Sequence, residues 1–183
     1  GQTSCDDALP GYYVSGSGAA EGTPCPAGKY NELSGQVSET ACIWAEPGHS
    51  VPVLTMVSSG ALHTCAILDD GSVKCWGENS NGQLGDGTRA VHIEPEKATM
   101  PLGKRAVEIS AGSYHNCVLL DDGSVRCWGD NSFGQLGDGT TVSQLLPNIV
   151  NHSTNALSIS AGQRHTCVIL DDASLKCWGI NSE

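Results

Sequence analysis

At 183 residues the chain has room for one ordinary domain or two small ones. Its formal net charge of −11, with only 16% charged residues, weighs against nucleic acid and anionic membranes as electrostatic partners. Twenty-three glycines against a single phenylalanine predict many turns and thin apolar layers, as in all-β repeats. No apolar run approaches the roughly 20 residues of a membrane-spanning helix, so no membrane insertion is expected. Nine cysteines, none in Cys-x-x-Cys spacing, point to disulfides formed in an oxidising compartment and not to zinc or thioredoxin-type sites. No signal peptide opens the chain, which with the cysteines predicts a mature or excised piece of an extracellular or cell-surface protein.

Residues 1–50 differ in character from the rest. Pro10-Gly11-Tyr12-Tyr13, Cys25-Pro26-Ala27-Gly28-Lys29-Tyr30, Cys42 and Pro47-Gly48 resemble the small cysteine-rich modules of ephrin-receptor and tumour-necrosis-factor-receptor type. That resemblance implies a Cys25–Cys42 disulfide. It also implies a further cysteine just after Cys42, and Ile43-Trp44-Ala45-Glu46 holds none. Cys5 is then left over, and a spare cysteine in a secreted chain predicts an intermolecular disulfide or a partner elsewhere.

Residues 51–183 are built from internal repeats, divided at about 53–104, 105–154 and 155–183. HTCAILDDGSVKCWGENSNGQLGDGT begins at His63, HNCVLLDDGSVRCWGDNSFGQLGDGT at His115 and HTCVILDDASLKCWGINSE at His165, so the period is 52 and then 50 residues. The second copy predicts four strands: Ala106 to Ser110, Asn116 to Leu120, Ser124 to Trp128, and one near Gln144 to Val150. Pro147 interrupts the last, which places it at an edge.

The turn sets the register. Asp121-Asp122-Gly123 suits a type I turn closed by a left-handed glycine, which pairs Leu120 with Ser124. Counting outward puts Cys117 opposite Cys127 at a non-hydrogen-bonded position, where opposing Cα atoms approach to about 4.5 Å, within disulfide reach. The same count joins Cys65 to Cys75 and Cys167 to Cys177. In the third copy Ala173 replaces the turn glycine, which costs roughly 1–2 kcal/mol if the left-handed geometry is kept.

HTCAILDDGSVKCWG and ENSNGQLGDGT, with their counterparts, resemble the repeats of the regulator of chromosome condensation family. The resemblance implies four-stranded blades, seven of which usually close a propeller. It does not carry over the nuclear exchange-factor role of the family's best-known member. The fold class expected is therefore all-β: about three four-stranded blades in an incomplete or open array, preceded by a small disulfide-rich module.

Several repeated residues invite a functional reading and have a plainer one. His63, His115 and His165 lie one blade apart and do not converge as metal ligands. They are expected to be structural, hydrogen-bonding to neighbouring backbone. Trp76, Trp128 and Trp178 suggest a sugar-binding ladder, but their place before a glycine at a strand end favours packing between blades. The Asp pairs at 69–70, 121–122 and 171–172, with Asp86 and Asp138, lack the spacing of a calcium loop and read as turn chemistry. The Gly-Gln-Leu-Gly-Asp-Gly-Thr loops lack the lysine of a phosphate loop. No nucleophile with a base and no opposed carboxylate pair stands outside the repeated turns, so no catalytic residue, cofactor or metal is expected.

These readings favour an extracellular structural protein, the unit of a filament, appendage or matrix, over a fragment of a secreted protein- or glycan-binding propeller. Asn151-His152-Ser153 is an N-glycosylation sequon at Asn151. The third copy stops at Ser182-Glu183, where the earlier copies continue with Gly-Gln, and the chain begins Gly1-Gln2. A head-to-tail junction of Ser182 and Glu183 with Gly1 and Gln2 would restore the repeat for two residues. Copies of the chain are thus the expected partners, with Cys5 a candidate bridge between them.

Overall fold

The computed structural model describes residues 12–13, 23–24, 29–30, 43–44, 53–151 and 153–181. The chain divides into two compact units, Gly1–Val51 and Pro52–Glu183. In the first, β1 (Tyr12–Tyr13) pairs antiparallel with β2 (Thr23–Pro24), and β3 (Lys29–Tyr30) with β4 (Ile43–Trp44). Cys5, Cys25 and Cys42 lie outside the described residues, as do Gly1, Gln2, Ser182 and Glu183. The expected junction and the Cys25–Cys42 pairing therefore lie outside the described residues.

The second unit consists of three antiparallel meanders. Blade 1 runs β5 (Leu54–Ser59), β6 (His63–Leu68), β7 (Val73–Gly77) and β8 (His92–Lys97). Blade 2 runs β9 (Ala106–Ala111), β10 (His115–Leu120), β11 (Val125–Gly129) and β12 (Gln144–Ile149). Blade 3 has β13 (Ala156–Ala161), β14 (His165–Leu170) and β15 (Leu175–Gly179). This is the incomplete, all-β blade array that the repeats predict. Pro95 and Pro147 sit in β8 and β12, the outer edge strands, where a missing N–H breaks no ladder bond.

Register follows from the hairpin turn. Leu120 N donates to Ser124 O and Gly123 N to Leu120 O, both at 2.9 Å, with Gly123 at φ +77°. The ladder then sets Cys117 against Cys127, as the turn count predicts, with Cα atoms 4.1 Å apart. Cys65 and Cys75, and Cys167 and Cys177, face each other in the same way, and all three pairs are joined as disulfides. Ala173 keeps the left-handed turn at φ +63°, so the third hairpin retains the geometry with a residue that disfavours it.

The core lies between blades and not within one. Cys65, Ile67, Val73 and Cys75 of blade 1 pack against Ile109, Val118, Leu120 and Trp128 of blade 2. Cys117, Leu119, Val125 and Cys127 of blade 2 pack likewise against Ile159, Val168 and Leu170 of blade 3, with Trp178 beside them. Each blade thus has a trailing face carrying the disulfide and a leading face carrying the tryptophan. Period-2 alternation on a sheet buried on both sides produces this two-faced design.

Candidate functional site: the blade seams and the loop face

The first arrangement is the seam itself. The loop after β7 folds on Asn79: its Oδ1 accepts Leu84 N at 2.9 Å, and its Nδ2 donates to Thr88 O at 3.3 Å. Asn131 does the same after β11, accepting from Leu136 N and donating to Asp138 Oδ1, Thr140 O and Val142 O. Both asparagines are buried. These loops present the carbonyls of Gln83 and Gln135 to the next blade. Gln83 O accepts from Asn116 Nδ2 at 2.7 Å and Trp128 Nε1 at 2.9 Å. Gln135 O accepts from Thr166 Oγ1 and Trp178 Nε1, both at 2.9 Å.

The histidines complete each seam. His63 Nε2 meets Asn116 Oδ1 at 3.0 Å, and His115 Nε2 meets Thr166 Oγ1 at 3.0 Å. The expectation of backbone partners is corrected here: the Nε2 partner is a side chain of the following blade. Asn116 Oδ1 can only accept, and Thr166 Oγ1 already gives its hydrogen to Gln135 O, so each histidine donates from Nε2. Burial holds the His63 pKa below its ordinary value and brings that of His115 down to about 4.

The seam also explains two glycines. A Cβ on Gly85 would lie 2.7 Å from Trp128 Nε1, and one on Gly137 would lie 2.5 Å from Trp178 Nε1. The Gly-Gln-Leu-Gly-Asp-Gly-Thr loop is therefore a clasp for the next tryptophan. Trp128 and Trp178 pack between blades, as their position before a glycine predicts, whereas Trp76 on blade 1 is half-buried with no blade against it.

The acidic candidates resolve into local turns. Asp70, Asp122 and Asp172 accept from the backbone N of Ser72, Ser124 and Ser174 at 2.8, 3.1 and 2.9 Å. Asp86 is bonded by Thr88 N and Oγ1 and lies 2.9 Å from His92 Nε2. Burial raises its pKa, but the hydrogen bonds from Thr88, Asn79 and His92 outweigh that and hold it below the ordinary value. Asn151 is exposed, and its Nδ2 donates to Asp138 O at 2.8 Å.

The second arrangement is the end of the array opposite the Asp-Asp hairpins. Loops joining the first and second strands of each blade run along it as a rail: Ala61 N donates to Ser113 O at 3.2 Å, and Ser113 N to Gln163 O at 3.3 Å. Each rail loop also receives the loop after the third strand, through Glu78 N to Leu62 O, Asp130 N to Tyr114 O and Ile180 N to Arg164 O. This brings Leu62, Tyr114 and Arg164 to equivalent positions, one per blade. The Arg164 guanidinium lies 4.9 Å from the centre of the Phe133 ring. None of these four residues stood out in the sequence.

Residues 57–83, 106–135 and 157–183 match the Regulator of chromosome condensation (RCC1) repeat, and residues 122–169 match a second form of it. The chain carries RCC1 repeats. It is 37% identical over 84 residues to the X-linked retinitis pigmentosa GTPase regulator homolog of Caenorhabditis elegans, covering 46% of this chain and 6% of that protein. It is 33% identical over 97 residues to the Ultraviolet-B receptor UVR8 of Arabidopsis thaliana, covering 53% and 22%. The chain thus spans less than a quarter of the length of either of these two relatives. Yeast RCC1 in complex with Kap60 shares the RCC1 fold at a TM-score of 0.63 and 23% identity, over 69% of this chain and 32% of that one.

Proposed function

We propose that the RCC1 repeats are a segment of an extracellular, protein-binding β-propeller, in which further blades cover both end faces. The observation that carries this reading is the exposure of those faces. On blade 3, Leu175 is 66% and Ile169 is 47% exposed, whereas Val125 and Leu119 at the same positions of blade 2 are 0% and 5% exposed. On blade 1, Val57 is 62% exposed where Ile109 of blade 2 is 4% exposed. Faces built like the two occupied seams require a blade against them.

The names of the relatives, a GTPase regulator homolog and a receptor, support a binding role over a purely structural one. The three strand-to-strand disulfides support an oxidising location. Repetition of the seam residues from blade to blade supports a non-catalytic role, since a catalytic site is built once. A glycan on the exposed Asn151 belongs to the same reading.

A second reading, a filament unit joined head to tail, rests on the complementarity of the end faces. Leading and trailing faces differ, so a contact between copies is heterologous and propagates unless its rotation closes. Both readings make copies of the isolated chain adhere. Sedimentation velocity on the 183-residue chain tests the shared premise. Association that rises with concentration and is weakened by Leu175→Asp is expected. A monodisperse monomer at all concentrations would overturn the end-face argument.

A further inference from the structure

We infer that the rail of loops carrying Leu62, Tyr114, Phe133 and Arg164 is the partner-reading surface, and that it takes an extended protein segment with apolar side chains and one carboxylate. The inference rests on the protein-binding reading above and assigns that role to particular side chains.

The three repeats serve as an internal comparison. Gly60, Gly112 and Gly162 are followed three residues later by His63, His115 and His165, and each glycine N donates to its histidine O at 2.8–2.9 Å. The backbone of the loop is thus the same in all three blades. The two residues between these fixed points change chemical class each time: Ala61-Leu62, Ser113-Tyr114, Gln163-Arg164. At the opposite end the Asp-Asp hairpins repeat nearly unchanged. Packing constrains the hairpins, glycines and histidines. It does not explain a large aliphatic, an aromatic and a cationic side chain at successive equivalent positions.

The same face leaves apolar surface uncovered. Leu62 is 61% exposed and Phe133 is 41% exposed. Arg164 is exposed and its guanidinium is placed over the Phe133 ring, which joins blade 2 to blade 3. No carboxylate within the described residues pairs with it. A planar guanidinium steadied by an aromatic ring keeps its N–H fork for a planar oxyanion, and aromatic–arginine pairs recur as interface anchors. The rail hydrogen bonds place the next anchors, Tyr114 and then Leu62, in succession, one per blade, a spacing suited to an extended segment. A polyanion is disfavoured: Glu78 and Asp130 begin the neighbouring loops, and the whole chain carries −11. One carboxylate in an otherwise uncharged apolar segment fits best.

The test uses the 183-residue chain and three pools of fluorescent ten-residue peptides. Each pool is randomised over apolar residues and has a single Glu, Gln or Lys at a fixed central position. Fluorescence anisotropy is expected to rank Glu above Gln by about tenfold or more, the scale of a charge-assisted hydrogen bond. Arg164→Glu should abolish or invert that ranking, Phe133→Ala should weaken it, and Leu102→Ser, a fully exposed residue away from the rail, should leave it unchanged. An unchanged far-ultraviolet dichroism spectrum identifies a folded variant. Binding lost with Leu175→Asp but kept with Arg164→Glu would overturn the inference and leave the end-face argument standing. Equal affinity for the three pools, or binding of none, would also overturn it, whatever the sedimentation result.

Discussion

Replacing Gly85 by alanine separates the seam from ordinary turn chemistry. Gly85 has φ +72°, and its added Cβ would lie 2.7 Å from Trp128 Nε1 and 3.0 Å from Trp128 Cδ1. The backbone alone accounts for about 1–2 kcal/mol, the cost of a left-handed conformation for an L-residue. Overpacking against a ring with no free space adds about 1–3 kcal/mol, because Trp128 is fully buried and bonded to Gln83 O. The expected destabilisation is therefore about 2–5 kcal/mol. Gly103 is the control: its φ is +73°, and nothing lies within 4 Å of its added Cβ. Gly103→Ala should cost the backbone part alone, about 1–2 kcal/mol. Equilibrium urea denaturation followed by far-ultraviolet dichroism, with disulfides intact, measures both. Adding Trp128→Leu to each removes the ring, so the Gly85→Ala penalty should shrink in that background while the Gly103→Ala penalty should not. Equal penalties for the two glycines would refute the clasp.

Two further outcomes follow from the same seams. Cys65, Cys75, Cys117 and Cys127 are fully buried, whereas Cys177 lies exposed on the uncovered face; mild reduction and alkylation of the isolated chain should label Cys167 and Cys177 first, and free thiols at the other four before reduction would disprove the hairpin pairing. Stability should also fall between pH 6.5 and pH 5. Burial keeps His115 neutral down to about pH 4, while the unfolded chain takes up its proton near 6.5, so the unfolded state binds more protons in that window. The loss from His115 is about 2 kcal/mol, and His115→Asn should flatten the urea midpoint against pH; a midpoint that does not move between pH 7 and pH 5 would count against the buried neutral histidine.

What the sequence shows and what it hides follows from distance along the chain. The hairpin was legible because a three-residue turn and two cysteines ten residues apart fix a register with purely local information. Pro147 marked an edge strand by the chemistry of one residue. The seam was not legible. Trp128 Nε1 and Gln83 O are 45 residues apart, and the acceptor is a backbone carbonyl that any residue carries. The signal present was the repetition of Asn-Ser-x-Gly-Gln-Leu-Gly, in which Asn79 and Asn131 shape the clasp. The repetition of the histidines reads as structural, but it does not reveal their partners, which lie in the next blade and change from Asn116 to Thr166 between seams. Arg164 and Phe133 lie in different repeats and were invisible until the rail aligned the loops.

The central claim is that these repeats belong to a propeller whose end faces are covered by further blades. Negative-stain imaging of the protein purified from its native source tests this most directly. Compact ring-shaped particles are predicted. Extended filaments with a regular axial repeat would contradict the propeller reading and establish the head-to-tail one.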